Sequence, residues 1–158
     1  MDRLKQNEED LHFMEEALKE AELAYAKGEV PVGAVIVKDH TIIARAHNTR
    51  ETAFSAIAHA EVSAIAEACR LLNGWRLEGC TIYVTLEPCT MCAGAIVNAR
   101  IPRVVFGAKD AVMGAMGSVL QITKYPLFVP ESVESGILED ACGALMSRFF
   151  KERRNREW

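Results

Sequence analysis

No stretch of this chain approaches the ~20 consecutive apolar residues of a membrane-spanning helix. The longest apolar runs, such as Val30-Pro31-Val32-Gly33-Ala34-Val35-Ile36-Val37, fall far short. The first ten residues hold no apolar stretch of the kind a secretory leader carries, so the expected location is cytoplasmic. Positive charge is not in excess: 18 Lys and Arg stand against 22 Asp and Glu, for a net charge of -4. That balance argues against indiscriminate binding to nucleic acid, although it leaves room for a local basic patch. Cysteine is sparse and odd in number, five in 158 residues. A disulfide framework is therefore not expected. Repeats, linkers and low-complexity blocks are missing too, so a single domain over residues 1–158 is expected, long enough for a sizeable core.

What is present alternates between helical and extended patterns. Leu11, Met14, Leu18, Ala21 and Tyr25 recur at helical spacing, which predicts a helix over residues 10–27 that stops at Gly28. Residues 32–38 read as a buried strand, 38–40 as a turn and 41–47 as its antiparallel partner. A helix is predicted over 60–72, closed by Asn73-Gly74, then a β-branched strand over 81–85. Pro88 suits the first turn of a helix over 89–98, and 103–106 reads as a short strand. A short helix near Leu120, a loop with Pro126 and Pro130, a brief strand over 132–134 and a last helix over 138–153 complete the pattern. An opening hairpin followed by alternating strands and helices predicts an α/β fold, a sandwich with a mixed sheet covered on both faces.

Two short strings carry chemistry: His59-Ala60-Glu61 and Pro88-Cys89-Thr90-Met91-Cys92. Cys89 and Cys92 are three apart at a helix start, so both sulfurs can face one ion. The helix N-terminus also favours thiolate. One imidazole (His59) and two thiolates suit zinc, and three protein ligands leave a fourth tetrahedral position open. A closed site would need another ligand from Cys69, Cys80, Cys142, His12, His40 or His47. Cys69 lies roughly 15 Å along the same helix from His59. Cys80 can stand up to roughly 30 Å of extended chain from Cys89. Cys142 falls in the apolar pattern of the last helix, and the three other histidines read as solvated surface. Glu61 could merely complement its helix dipole. Beside a ligand histidine, proton transfer is the stronger reading.

His-x-Glu with Pro-Cys-x-x-Cys is the signature of the zinc nucleobase deaminases. The likeness extends to Glu29-Val30-Pro31-Val32-Gly33-Ala34, Ala46-His47-Asn48, Thr85-Leu86-Glu87-Pro88, Ala99-Arg100-Ile101-Pro102-Arg103 and Phe149-Phe150. Over roughly residues 10–155 the chain resembles the bacterial tRNA adenosine deaminases, which convert adenosine to inosine at the anticodon wobble position. That resemblance implies a three-layer α/β/α sandwich of the cytidine-deaminase type with a five-stranded mixed sheet. It implies one Zn2+ per chain on His59, Cys89 and Cys92, with Glu61 as the catalytic proton carrier. It implies a homodimer that takes a tRNA anticodon loop. By matching position, Asn48 would contact the nucleoside, Val32 and Leu86 would line the base pocket, and Asp110 would meet the sugar-phosphate backbone of the flanking nucleotide.

The sequence departs from that family at Val112-Met113, where a lysine is usual. It departs again at residues 125–130, where an Asn-His-Arg string, expected to face nucleic acid, is usual. Two other readings stand beside the tRNA one: a deaminase of free bases or nucleosides on the same scaffold, and a zinc-stabilised binding module without catalysis. The last helix offers Arg148, Lys151, Arg153, Arg154 and Arg156, either as a frayed tail or as a grip on phosphate.

Overall fold

The computed structural model describes residues 2–156. Helix α1 spans Arg3–Ala26, then strands β1 (Gly33–Lys38) and β2 (Thr41–His47) form a hairpin. Helix α2 (Ala60–Leu72), strand β3 (Cys80–Leu86), helix α3 (Thr90–Asn98) and strand β4 (Arg103–Ala108) follow. A 3-10 turn (Ile122–Lys124), strand β5 (Ser132–Ser135) and helix α4 (Glu139–Arg156) complete the order.

The sheet runs β2-β1-β3-β4-β5. β1 is antiparallel to both β2 and β3, whereas β3, β4 and β5 are parallel. The sheet is therefore mixed, as expected, with α1 and α4 on one face and α2 and α3 on the other. Its central strands alternate between two cores with period two. Ala34, Ile36, Ile82, Val84, Val104 and Phe106 join Ala60, Ala64, Ala68 and Ile96 on the α2–α3 side. Val35, Val37, Tyr83 and Val105 join Phe13, Met14, Ala17 and Cys142 on the α1–α4 side. Because both faces are covered, these strands read in sequence as unbroken apolar runs.

Local chemistry fixes the turns. Asp39 and His40 both take positive φ, 50° and 62°, which suits a two-residue hairpin turn. Asn73 ends α2 in the left-handed conformation at φ 54°. Gly33 is required by close approach: a Cβ there would lie 2.1 Å from the Ala17 carbonyl oxygen. Only glycine lets α1 lie so tightly on β1.

Two boundaries differ from expectation. α1 begins a full two turns earlier, because Asp2 caps it by accepting from Lys5 N at 3.0 Å. Those extra turns are polar and carry no apolar stripe, so periodicity does not mark them. The short helix expected near Leu120 is instead the 3-10 turn just after it.

Asp10, on the inner side of α1, is fully buried. Its carboxylate accepts from Arg103 Nη1 at 2.9 Å and Nη2 at 2.7 Å, and from Tyr83 Oη at 2.7 Å. Arg103 also meets Glu134 at 3.0 Å, so the network ties α1 to β3, β4 and β5. Burial pushes the Asp10 carboxyl up, but Arg103, Tyr83 and Gln6 together hold it below the usual carboxylate range. The stability it contributes is thus present above that range and is lost as pH falls through its depressed pKa. Asp10→Asn leaves Arg103 without its buried partner and should cost about 3 kcal/mol in urea unfolding at neutral pH. Its stability should also fall less than that of the unmodified chain on acidification.

Candidate metal centre and its cavity

The site forms where two helices begin at one end of the sheet. β3 leads through Glu87 and Pro88 into α3, and the chain enters α2 from a loop on the same side. His59 is the N-cap residue of α2 and Cys89 the N-cap residue of α3. Both have extended backbone there, and neither side chain caps its own helix. They turn toward each other instead. His59 Nδ1 lies 3.6 Å from Cys89 Sγ and 3.5 Å from Cys92 Sγ.

Those separations test the fit of a metal. Tetrahedral zinc with bonds of ~2.0–2.1 Å to nitrogen and ~2.3 Å to sulfur sets an N–S edge of about 3.6 Å. Both nitrogen–sulfur separations therefore match a tetrahedral edge. Among the described residues, no fourth His, Cys, Asp or Glu ligand atom lies within 4.8 Å of all three. Cys142 is buried against β4, Cys80 is buried where β3 starts, and Cys69 points to the Trp75 carbonyl. His12 and His40 are exposed beside the far end of the sheet. His47 is not the solvated residue expected. Its Nε2 lies 3.0 Å from Lys27 Nζ, and its buried Nδ1 lies 3.8 Å from Glu20.

The surroundings favour a thiolate. The Cys92 thiol donating to it and the nearby His59 hold the Cys89 thiol down to about 3, against the opposing effect of burial. The His59 pKa is raised, chiefly by its bond to Cys89. Cys92 is pushed up by Cys89 and by burial. Glu61 occupies the first turn of α2 and is 4% exposed. Burial pushes its carboxyl up to about 7, where a carboxyl can both take and give a proton near neutral pH.

All of this opens into one cavity of about 780 Å³. Val32, Asn48 and Leu86 line it, together with His59, Glu61 and Cys89. The Asn48 amide is buried, donating to the Val30 carbonyl at 3.2 Å and accepting from Arg50 N at 3.1 Å. One N–H and one lone pair remain for a ligand. Asp110 stands at the rim, where Oδ1 accepts from Val112 N at 3.0 Å and Met113 N at 3.1 Å. The other oxygen is not used by that turn. Val112 and Met113 stand at the rim beside it, strongly exposed.

The segment 125–130 does not line the cavity. Phe128 packs over Arg100, 4.1 Å from its guanidinium, and β5 begins opposite Arg103 at the start of β4. The cavity lies at the other end of β4, beside Ala108. Sequence reasoning gave no role to several lining residues, Glu29, Arg50, Glu87 and Met146, whereas Arg153, offered as a grip on phosphate, does line the cavity. Glu29 and Glu87 left a trace, since each is an acidic residue set against an apolar run and shortly before a proline. Met146 left none, because only folding brings α4 to the cavity.

The family described as cytidine and deoxycytidylate deaminase, zinc-binding region, matches residues 7–108. The chain belongs to that zinc-dependent deaminase family. Within it, the chain is 52% identical over 150 residues to the tRNA-specific adenosine deaminase of Bacillus subtilis strain 168, spanning 94% of this chain and 93% of that one. A solved structure from work on A-to-I editing by tRNA:A34 deaminases at the wobble position is 45% identical. It covers 85% of this chain and 98% of its own, with a TM-score of 0.82. The guanine deaminase of Bacillus subtilis aligns less fully, at 39% identity, TM-score 0.59, 69% of this chain and 66% of its own. The family and the donor set assign one Zn2+ per chain.

Replacing Cys89 or Cys92 by serine should lower zinc from one per chain to a small fraction, read by metal analysis after dialysis. Glu61→Gln should leave zinc at one per chain.

Proposed function

We infer that this chain hydrolyses adenosine to inosine and ammonia at the wobble position of tRNA. One observation carries the chemistry: a buried carboxyl, Glu61, stands beside a three-donor zinc group at the floor of a nucleoside-sized cavity. The likeness to tRNA-specific adenosine deaminases over nearly the whole length supports the substrate.

His59, Cys89 and Cys92 would hold a zinc ion, which when bound would supply an acidified water as nucleophile. Glu61 takes the proton as that water's oxygen attacks C6 of the purine. It would pass that proton to the ring nitrogen N1, then take the second proton from the new C6 hydroxyl and pass it to the amine as the C6–N bond breaks, so that water and adenosine become inosine and ammonia. Its placement suits this shuttle, because it is buried in the first turn of α2 beside the three donors and lines the cavity. Asn48 orients the base with its spare N–H and lone pair. Val32 and Leu86 flank the ring and exclude water. Asp110 offers its free oxygen to a ribose hydroxyl of the flanking nucleotide.

The target base must leave its stack to enter such a cavity, so a loop is a suitable presentation. Arg50, Lys109 and Arg153 at the cavity supply positive charge for phosphates, despite the net negative chain. Phe54 and Ile57, 95% and 60% exposed just before His59, are an apolar pair suited to a second copy of the chain. That surface supports a homodimer. No helix among the described residues is long and apolar enough to cross a membrane. A cytoplasmic location fits an enzyme that acts on tRNA.

Zinc-loaded protein should convert the wobble adenosine of an anticodon stem-loop to inosine, read by digestion and mass spectrometry. Guanine, adenosine and cytidine in parallel should release little ammonia. Glu61→Gln should lower turnover by about 10³-fold or more while zinc stays bound. Ammonia from a free base alone would overturn the tRNA reading, and an active Glu61→Gln variant would overturn the proton path.

A further inference from the structure

The cavity has two side walls of irregular chain. One is the loop after β2, which brings Asn48, Arg50 and Glu51 to the cavity. The other is the segment after β4, which brings Asp110, Val112 and Met113. Neither wall has a strand or helix to hold its shape. Each instead wraps around one buried carboxylate that comes from elsewhere in the fold.

Glu29 is 0% exposed and Glu87 2%. Glu29 Oε1 accepts from Glu51 N at 3.0 Å, and its Oε2 accepts from Thr52 N and Thr52 Oγ1, both at 2.7 Å. Glu87 Oε1 accepts from Asp110 N at 3.2 Å and from the Ser118 hydroxyl. Its Oε2 accepts from Met116 N at 3.0 Å and Ser118 N at 3.1 Å. The loop lies close enough on Glu87 that a Cβ at Gly114 would stand 2.4 Å from Oε2. Pro88, next in sequence, receives Ala115 N on its carbonyl at 2.9 Å. The segment that carries Cys89 therefore also sets the second wall.

A buried carboxylate is expensive unless donors surround it. Here the donors are backbone N–H groups that point inward from a loop and would otherwise be unpaired. One carboxylate offers about four acceptor directions at one point, which no apolar or amide side chain supplies. The arrangement gives a loop without regular structure a single fixed shape. Substrate-gripping groups need placement within about 0.5 Å, and a template of this kind provides it.

We propose that Glu29 and Glu87 are positioning residues, each shaping through its buried carboxylate one of the two loops that grip the RNA on either side of the target nucleoside. Neither is asked to touch the reacting atoms. They govern how well the flanking nucleotides are held, not how fast Glu61 moves protons. The kinetic part of the test rests on the tRNA reading above.

Glu29→Gln and Glu87→Gln keep size and remove two-sided acceptance. Each should keep one zinc per chain and a kcat within about threefold, while KM for the anticodon stem-loop rises about tenfold or more. Amide hydrogen exchange should quicken locally and in a crossed pattern. Glu87→Gln should release Asp110, Met116 and Ser118 but not Glu51 and Thr52, and Glu29→Gln the reverse. Ser118→Ala and Thr52→Ala each remove one hydroxyl donor from an intact carboxylate, so they decide the matter if a glutamine variant does not fold. Each should raise KM about threefold with zinc unchanged. A fall in kcat at constant KM, zinc loss in the alanine variants, or unchanged exchange at both loops would overturn the proposal. Wild-type protein inactive on the stem-loop would overturn the tRNA reading instead, and the exchange pattern would still decide the role of the carboxylates.

Discussion

Two helix N-caps are given to metal-ligand side chains in place of the usual serine, threonine or aspartate, and the site follows from that choice. His59 and Cys89 both have extended backbone, and neither side chain caps its own helix. Forgoing a capping side chain costs about 1 kcal/mol per helix. Binding of a structural or catalytic metal ion to the folded state offsets such a loss. Because α2 and α3 start at the same end of the sheet, their positive dipole ends converge on the two thiol groups. The same geometry puts Glu61 in the first turn of α2, buried yet lining the cavity. Ligands, proton carrier and cavity floor are thus consequences of where two helices begin.

The rest of the fold holds those starts in place. The two-sided packing of the sheet fixes the directions of β3 and β4, and Gly33 lets α1 close over β1. The Asp10–Tyr83–Arg103–Glu134 network locks the far end, away from the chemistry. Around the cavity, buried carboxylates replace regular structure. The architecture divides the labour: two helix starts held by the sheet set the floor, and loops wrapped on buried carboxylates set the walls.

Much of this was legible in residue pattern. The buried strands announced themselves as apolar runs, and the hairpin through Lys38-Asp39-His40 and the stop at Asn73 came from turn chemistry. The zinc group was legible because spacing constrains it: Cys-x-x-Cys at a helix start puts two sulfurs on one face. What pattern could not reach was set by tertiary contact. The first turns of α1 are polar on all sides and are held by Asp2 and by Asp10, whose partner Arg103 lies far along the chain. His47 looked like surface because nothing nearby in sequence shows Lys27 and Glu20 closing over it. Where residues 125–130 lie relative to the cavity was likewise invisible in the sequence. The parallel register of β4 and β5 places them at the opposite end.

The central claim is that the site is a three-ligand zinc centre with an open position. X-ray absorption at the zinc edge of the loaded protein tests it most directly. The account predicts two sulfurs at about 2.3 Å, one imidazole nitrogen and one further light atom that is not a protein ligand, exchangeable with added anion. Three or more sulfurs, or a second imidazole, would mean a closed structural centre and would contradict it.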